Sequence, residues 1–287
     1  MKTCELPKPI YITGACSISS REQALEDARE AVKRGVPFVR ACGYKPRTEP
    51  GKDPSIFFDG VYRTNKEEYL SWLTEVRNLG AIPALEVNGR QMAEEVLNTL
   101  AKRTHEPRVL LWIGSRFQEH QNQIDIAKPV AETDWAMLMV KNQMWRNEKH
   151  WRGIIGFVTQ MGGMEMDRLI VCHRGFDPGT DEPRDKHALR NNPDYPMAMR
   201  IKRELGATVI IDASHIGGSR ENILRIARQA MLYEEAGIRF DGLMLEICTD
   251  PTQVKTDAEQ HLLWGDFDVL RNNLQDHTLE LVATRSI

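Results

Sequence analysis

The chain has 287 residues, 41% of them apolar and 28% charged, with 38 basic against 41 acidic side chains for a net charge of −3. That composition excludes a disordered or collagen-like chain, and the balanced charge argues against nucleic acid as a partner. The longest apolar run, 135–140, falls far short of the roughly 20 residues that cross a bilayer, and MKTCELPKPI lacks the apolar segment of a secretory leader, so a cytoplasmic protein with no membrane partner is expected.

Eight short runs rich in aliphatic and β-branched residues recur along the chain, at 10–16, 38–44, 82–87, 109–114, 136–141, 169–174, 208–215 and 242–248. Continuous apolar runs, rather than strict alternation, predict strands buried on both faces, as in a parallel sheet. Helical periodicity fills the gaps at 20–34, 66–79, 91–102, 148–161 and 221–236, with further helices at 118–126, 195–205 and 255–274. Gly35, Gly80 and Gly237 stand where helices of this kind stop.

Strands alternating with helices, without a compositional break, predict one (β/α)8 barrel over 1–287. The rival open sheet is disfavoured because no GxGxxG follows the first strand. Some nine residues precede the first strand and about a dozen follow the last helix, too few for a second domain. Five cysteines, Cys4, Cys16, Cys42, Cys172 and Cys248, are scattered and form no CxxC pair, which reads as reduced thiols. Cys42 and Cys172 read as core residues, His173 as packed against a helix, Trp72, Trp112 and Trp151 as core or interface, and the 22–34 helix as a solvated face.

In a barrel the loops after the strands form the active face. Those ends carry Cys16, Arg40 with Lys45 and Arg47, Glu86, Arg116, Lys141, Arg174, His215, and Glu246 with Asp257 just beyond. Arg40, Lys45, Arg47, Arg116, Lys141 and Arg174 make a basic set, which would repel itself in one pocket unless the ligand were multiply anionic. Cys16, His215, Glu246 and Asp257 offer one sulfur, one nitrogen and two oxygen donors, a set able to hold a divalent transition ion. Spacing alone leaves the bland reading open as well, an ordinary core cysteine with supporting polar groups.

The strings GACS (14–17), RACGYKPRT (40–48), IGSR (113–116), VKN (140–142), CHRGF (172–176), DASHIGG (212–218), FDGLMLE (240–246) and DPTQVKTDAEQ (250–260) follow one another in order. Together they resemble the 3-deoxy-D-arabino-heptulosonate 7-phosphate synthases, whose barrel family also includes the 3-deoxy-octulosonate 8-phosphate synthases. The resemblance spans about residues 10–262. It implies condensation of phosphoenolpyruvate with erythrose 4-phosphate, with release of phosphate, as the first step of the shikimate pathway.

By the same resemblance, Cys16, His215, Glu246 and Asp257 are metal ligands for Mn, Fe, Co or Zn. Arg40, Lys45 and Lys141 contact the phosphoenolpyruvate carboxylate, and Arg116 with Arg174 clamps its phosphate. Pro46, Arg47 and Thr48 receive the aldose phosphate, and Lys45 is the proton-shuttling candidate, with Glu86 the weaker one. A dimer or tetramer is implied, and regulation would fall to a separate chorismate mutase, since neither an N-terminal regulatory extension nor a C-terminal mutase domain is expected. Ala15 and Ala213 stand where the family usually has Pro, Cys248 stands where it often has His, and the segment between His215 and Glu246 is longer than usual. These departures keep two alternatives in play: the same chemistry on another aldose phosphate, or a non-catalytic barrel that binds a phosphorylated metabolite or a partner protein.

Overall fold

All six residues of the strand Ala136–Lys141 are buried, because one face lines a barrel interior and the other lies under helices. The computed structural model describes residues 8–44, 60–179, 188–254 and 257–285. Its barrel strands are β1 (Ile10–Thr13), β2 (Phe38–Arg40), β3 (Ile82–Glu86), β4 (Val109–Ile113), β5 (Ala136–Lys141), β6 (Leu169–His173), β7 (Thr208–Asp212) and β8 (Gly242–Met244). They pair in parallel and close in the order β1-β8-β7-β6-β5-β4-β3-β2. The expected (β/α)8 barrel is therefore the observed fold.

The helices are α1 (Arg21–Lys33), α2 (Val61–Thr64), α3 (Lys66–Asn78), α4 (Arg90–Arg103), α5 (His120–Ala131), α6 (Glu148–Gly156), α7 (Tyr195–Leu205), α8 (Ala213–Gly217), α9 (Arg220–Leu232) and α10 (Trp264–Arg285). Local chemistry sets their starts. Ser20 caps α1 by accepting the Gln23 N–H at 3.2 Å, and the Gln23 side chain accepts the Ser19 N–H at 2.9 Å. Asn147 and Asp194 cap α6 and α7 in the same way. Trp151, Tyr69, Phe38 and Phe267 are fully buried among the aliphatic side chains, each stabilising the fold by about 1.5–3 kcal/mol. No helix among the described residues is long and apolar enough to cross a membrane.

Several strands stop earlier than their apolar runs do. β1 ends at Thr13, because Gly14 turns the chain at φ 119° against Arg40, whose backbone O would lie 3.0 Å from an added Cβ. The 208–215 run divides at Asp212, whose carboxylate accepts the His215 N–H at 3.1 Å and starts the short helix α8. Beyond β8, Ile247–Cys248 leaves the barrel and pairs in parallel with Leu262–Leu263. The helix expected over 255–274 starts only at Trp264, and the one expected to Met161 is α-helical to Gly156 and continues as a π turn over Phe157–Met161. Gly237 is not a helix stop. It lies between Glu234–Glu235 and Ile238–Arg239, which pair antiparallel, and this hairpin occupies the long segment between His215 and Glu246.

Candidate active site

Two residues from the ends of β2 and β8, the strands on either side of β1, set the centre of the barrel mouth. Arg40, on β2, is 2% exposed and donates through Nη2 to Glu246 Oε1 at 2.8 Å. It also donates to the backbone oxygens of Ala15 and Cys16, at 3.1 and 3.2 Å, so the β1 tip rests on its guanidinium. Its Nη1 has no hydrogen-bond partner among the described residues. Glu246 is fixed from three sides: Arg40, the Gln260 side-chain amide, and Ser214, whose hydroxyl accepts the Glu246 N–H at 2.8 Å.

Cys16, Glu246 and Asp257 converge. One donor atom from each lies within 4.8 Å of the other two, and the Cys16 thiol donates to Asp257 Oδ2 at 3.3 Å. Asp257 takes a left-handed conformation at φ 52° and also meets Arg190 at 3.3 Å. His215 stands beside this group rather than within it. Its Nδ1 pairs with Asp212 at 2.9 Å and lies 3.9 Å from Glu246 Oε1. Burial lowers the His215 pKa to about 4, against the upward pull of Asp212 and Glu246, which leaves a neutral imidazole.

The cations collect on the same mouth. Lys141 Nζ, at the end of β5, pairs with Asp212 Oδ2 at 2.6 Å and lies 5.3 Å from the Trp112 ring centroid; the Arg40 guanidinium lies 5.4 Å from the same ring. Burial works against the Asp212 charge, but His215 and Lys141 outweigh it and hold the carboxyl well below its usual range. Arg174 follows β6 and is buried. Burial lowers its pKa to about 10 against the pull of Asp212, and the charges of Arg190 and Arg116 lower it further. Arg116 itself is exposed on the loop after β4. The repulsion expected within the basic set is thus relieved by buried acids, since Arg40 faces Glu246 and Lys141 faces Asp212.

Glu86 accepts the Trp112 indole N–H at 3.2 Å. Its carboxylate lies over Gly114, where an added Cβ would be 2.1 Å from Glu86 Oε1 and would displace that side chain. Lys45, Pro46, Arg47 and Thr48 lie outside the described residues. Asp212, Gln260, His261 and Arg190 were not singled out by sequence reasoning, though the first two sit inside DASH and DAEQ. His261 is 2% exposed and touches the backbone of both Cys16 and Asp257.

Asp27 also departs from expectation. It lies on the supposedly solvated α1 helix, yet it is buried and accepts the Ala15 N–H at 3.1 Å. A proline at position 15 would have no N–H to offer. His173 packs on Trp151 of α6 with ring centroids 5.3 Å apart, as its outward place on β6 requires.

A family model described as the DAHP synthetase I family matches residues 6–283. The chain belongs to that family. A phospho-2-dehydro-3-deoxyheptonate aldolase of Thermotoga maritima is 24% identical over 270 residues, covering 92% of this chain and 68% of the relative. A 2-dehydro-3-deoxyphosphooctonate aldolase of Ralstonia pickettii is 25% identical over 284 residues, covering 90% of this chain and 88% of the relative. Among solved structures, the DAHP synthase of Thermotoga maritima superposes with a TM-score of 0.72 at 23% identity, over 94% of this chain and 69% of that one. A truncated form of the Thermotoga maritima synthase gives 0.70 at 20% identity, over 94% and 87%. At these identities the superpositions establish the barrel, and membership in the DAHP synthetase I family rests on the sequence match.

Proposed function

We propose that the chain condenses phosphoenolpyruvate with erythrose 4-phosphate to give 3-deoxy-D-arabino-heptulosonate 7-phosphate and phosphate. The observation that carries the reading is the convergence of Cys16, Glu246 and Asp257 beside His215, next to the buried cations Arg40, Lys141 and Arg174. Family membership and the heptonate aldolase relative support the same reaction.

The donor set fits a metal. A thiol, two carboxylates and a neutral imidazole mix soft and hard donors, and the thiol already points at a carboxylate oxygen 3.3 Å away. In this reading Cys16, His215, Glu246 and Asp257 hold a divalent ion of the Mn, Fe, Co or Zn type, and when bound it supplies Lewis-acid polarisation of the aldehyde oxygen.

The chain's own residues do the positioning. Arg40, whose Nη1 has no partner among the described residues, and Lys141 take the phosphoenolpyruvate carboxylate, while Arg174 and Arg116 take its phosphate. Held this way, the enol carbon faces the aldehyde carbon and forms the new carbon–carbon bond. Water adds at the neighbouring carbon, and phosphate leaves against fixed positive charge. Pro46, Arg47 and Thr48 complete the reading as the aldose-phosphate side, with Lys45 as a further contact to the phosphoenolpyruvate carboxylate and as the proton carrier. A cytoplasmic homo-oligomer belongs to the same proposal.

The test measures phosphoenolpyruvate consumption with erythrose 4-phosphate, arabinose 5-phosphate and ribose 5-phosphate, with and without Mn. The proposal predicts metal-dependent turnover that is fastest with the four-carbon aldose. Faster turnover with a five-carbon aldose would reassign the substrate, and no phosphate release with any of them would contradict catalysis.

A further inference from the structure

His261 is a buried side chain that the proposed mechanism does not use, and both of its ring nitrogens are engaged. Nε2 lies 2.9 Å from the Cys16 backbone nitrogen, and Nδ1 lies 2.9 Å from the Asp257 backbone oxygen. A backbone N–H can only donate, so Nε2 is the accepting nitrogen. The proton therefore sits on Nδ1, which donates to the Asp257 carbonyl. One neutral ring thus joins the tip of β1 to a loop 245 residues away in sequence.

We infer that His261 is a positioning residue for the metal-binding group: it sets the distance and orientation of Cys16 relative to Asp257. The loop that carries it is also held through side chains: Arg190 donates to Asp257 Oδ1 at 3.3 Å and to Gln260 Oε1 at 2.6 Å, and the Cys16 thiol donates to Asp257 Oδ2. Leu262–Leu263 pairs with Ile247–Cys248, and Gln260 donates to Glu246, so residues 260–263 are tied to the β8 side. Arg40 ties the β1 tip to Glu246 through the Cys16 carbonyl. The imidazole is what links the backbone of Cys16 to that of Asp257, while Asp257 is kept at a positive φ that a non-glycine residue seldom adopts. Hydrogen bonds that orient ligating residues typically change metal affinity about 10–100-fold when lost.

This inference rests on the metal-site part of the proposed function but not on the choice of aldose. The test titrates the full-length, metal-free protein with Co2+ alone. It reads the near-ultraviolet thiolate-to-cobalt band and the dissociation constant by chelator competition. His261→Phe, which keeps a ring but makes neither hydrogen bond, weakens cobalt binding about 10–100-fold and alters the band. His261→Gln, which still offers an acceptor to the Cys16 N–H, falls between that variant and the native chain. If His261→Phe does not fold by circular dichroism, His261→Gln and His261→Asn are compared with the native chain, and each weakens cobalt binding severalfold.

Folded variants with the native affinity and band would overturn the inference. A native chain with no thiolate band would overturn it together with the metal site. A native chain that shows the band and its dependence on His261, yet turns over no aldose, would overturn the catalytic proposal and leave this inference standing.

Discussion

Arg40 and Glu246 form an ion pair of 2.8 Å in which neither side chain is more than 2% exposed. Such a pair is maintained because both charges find further partners, the backbone oxygens of Ala15 and Cys16 on one side and Gln260 on the other. Removing one member strands the other. Arg40→Met is expected to lower stability by about 3–5 kcal/mol in urea unfolding, and the double variant with Glu246→Gln to recover part of that loss. A loss in the double variant equal to the sum of the two single losses would show that the two charges are not coupled.

Cys16 supplies the soft donor of the group, and a serine hydroxyl is a much poorer one. Cys16→Ser should unfold within a few degrees of the native chain, because the side chain is small and sits at a strand tip. Its metal affinity should fall by more than the roughly 10–100-fold that loss of a supporting hydrogen bond costs. Exhaustive chelation should abolish turnover, and added Mn should restore it. Undiminished turnover of the chelated native enzyme would remove the metal from the account.

His173 gives the fold an acid limit. Burial against Trp151 drops its pKa from 6.5 to about 3, against the pull of Asp194. Between those values the unfolded chain takes up a proton that the native chain refuses. Native stability therefore falls as pH falls through that window, by up to about 1.4 kcal/mol per pH unit. His173→Gln keeps an acceptor for the Asp194 N–H, which His173 Nε2 meets at 2.9 Å. Its stability should change less between pH 6 and pH 4, and a curve parallel to the native one would contradict the assignment.

Asp27 works in the opposite direction. Burial raises its pKa from 3.8 to about 8, although the Ala15 N–H and Arg40 oppose the shift. The native chain then holds a proton that the unfolded chain releases, so native stability falls as pH rises from about 4 to about 8. Asp27→Asn keeps an oxygen for the Ala15 N–H and removes the titration. Its gain over the native chain should grow across that window, by at most about 1.4 kcal/mol per pH unit. A gain independent of pH would indicate a charged Asp27 in the native state.

The barrel was legible in the chain because burial on both faces leaves continuous apolar runs, and Ala136–Lys141 and Tyr195–Leu205 have the expected bounds. The mouth was legible because polar residues interrupt those runs where the core ends, as at Arg40, Lys141 and Arg174. What periodicity does not carry is pairing across the chain. Nothing near His261 in sequence marks it as a partner of Cys16, and Asp27 is hidden within a helix whose neighbouring positions are charged. The break at Asp212 was missed for a local reason: its carboxylate caps a helix inside an otherwise apolar, β-branched run.

The central claim is that one cation binds where the β1, β7 and β8 ends meet, facing the buried Arg40, Lys141 and Arg174. Anomalous diffraction from crystals soaked in Mn tests it most directly. The account predicts a single strong peak about 2.0–2.4 Å from the Cys16 sulfur and from oxygens of Glu246 and Asp257, with the His215 ring turned to complete the set. No peak among those side chains at saturating Mn, or one bound elsewhere on the barrel, would contradict it.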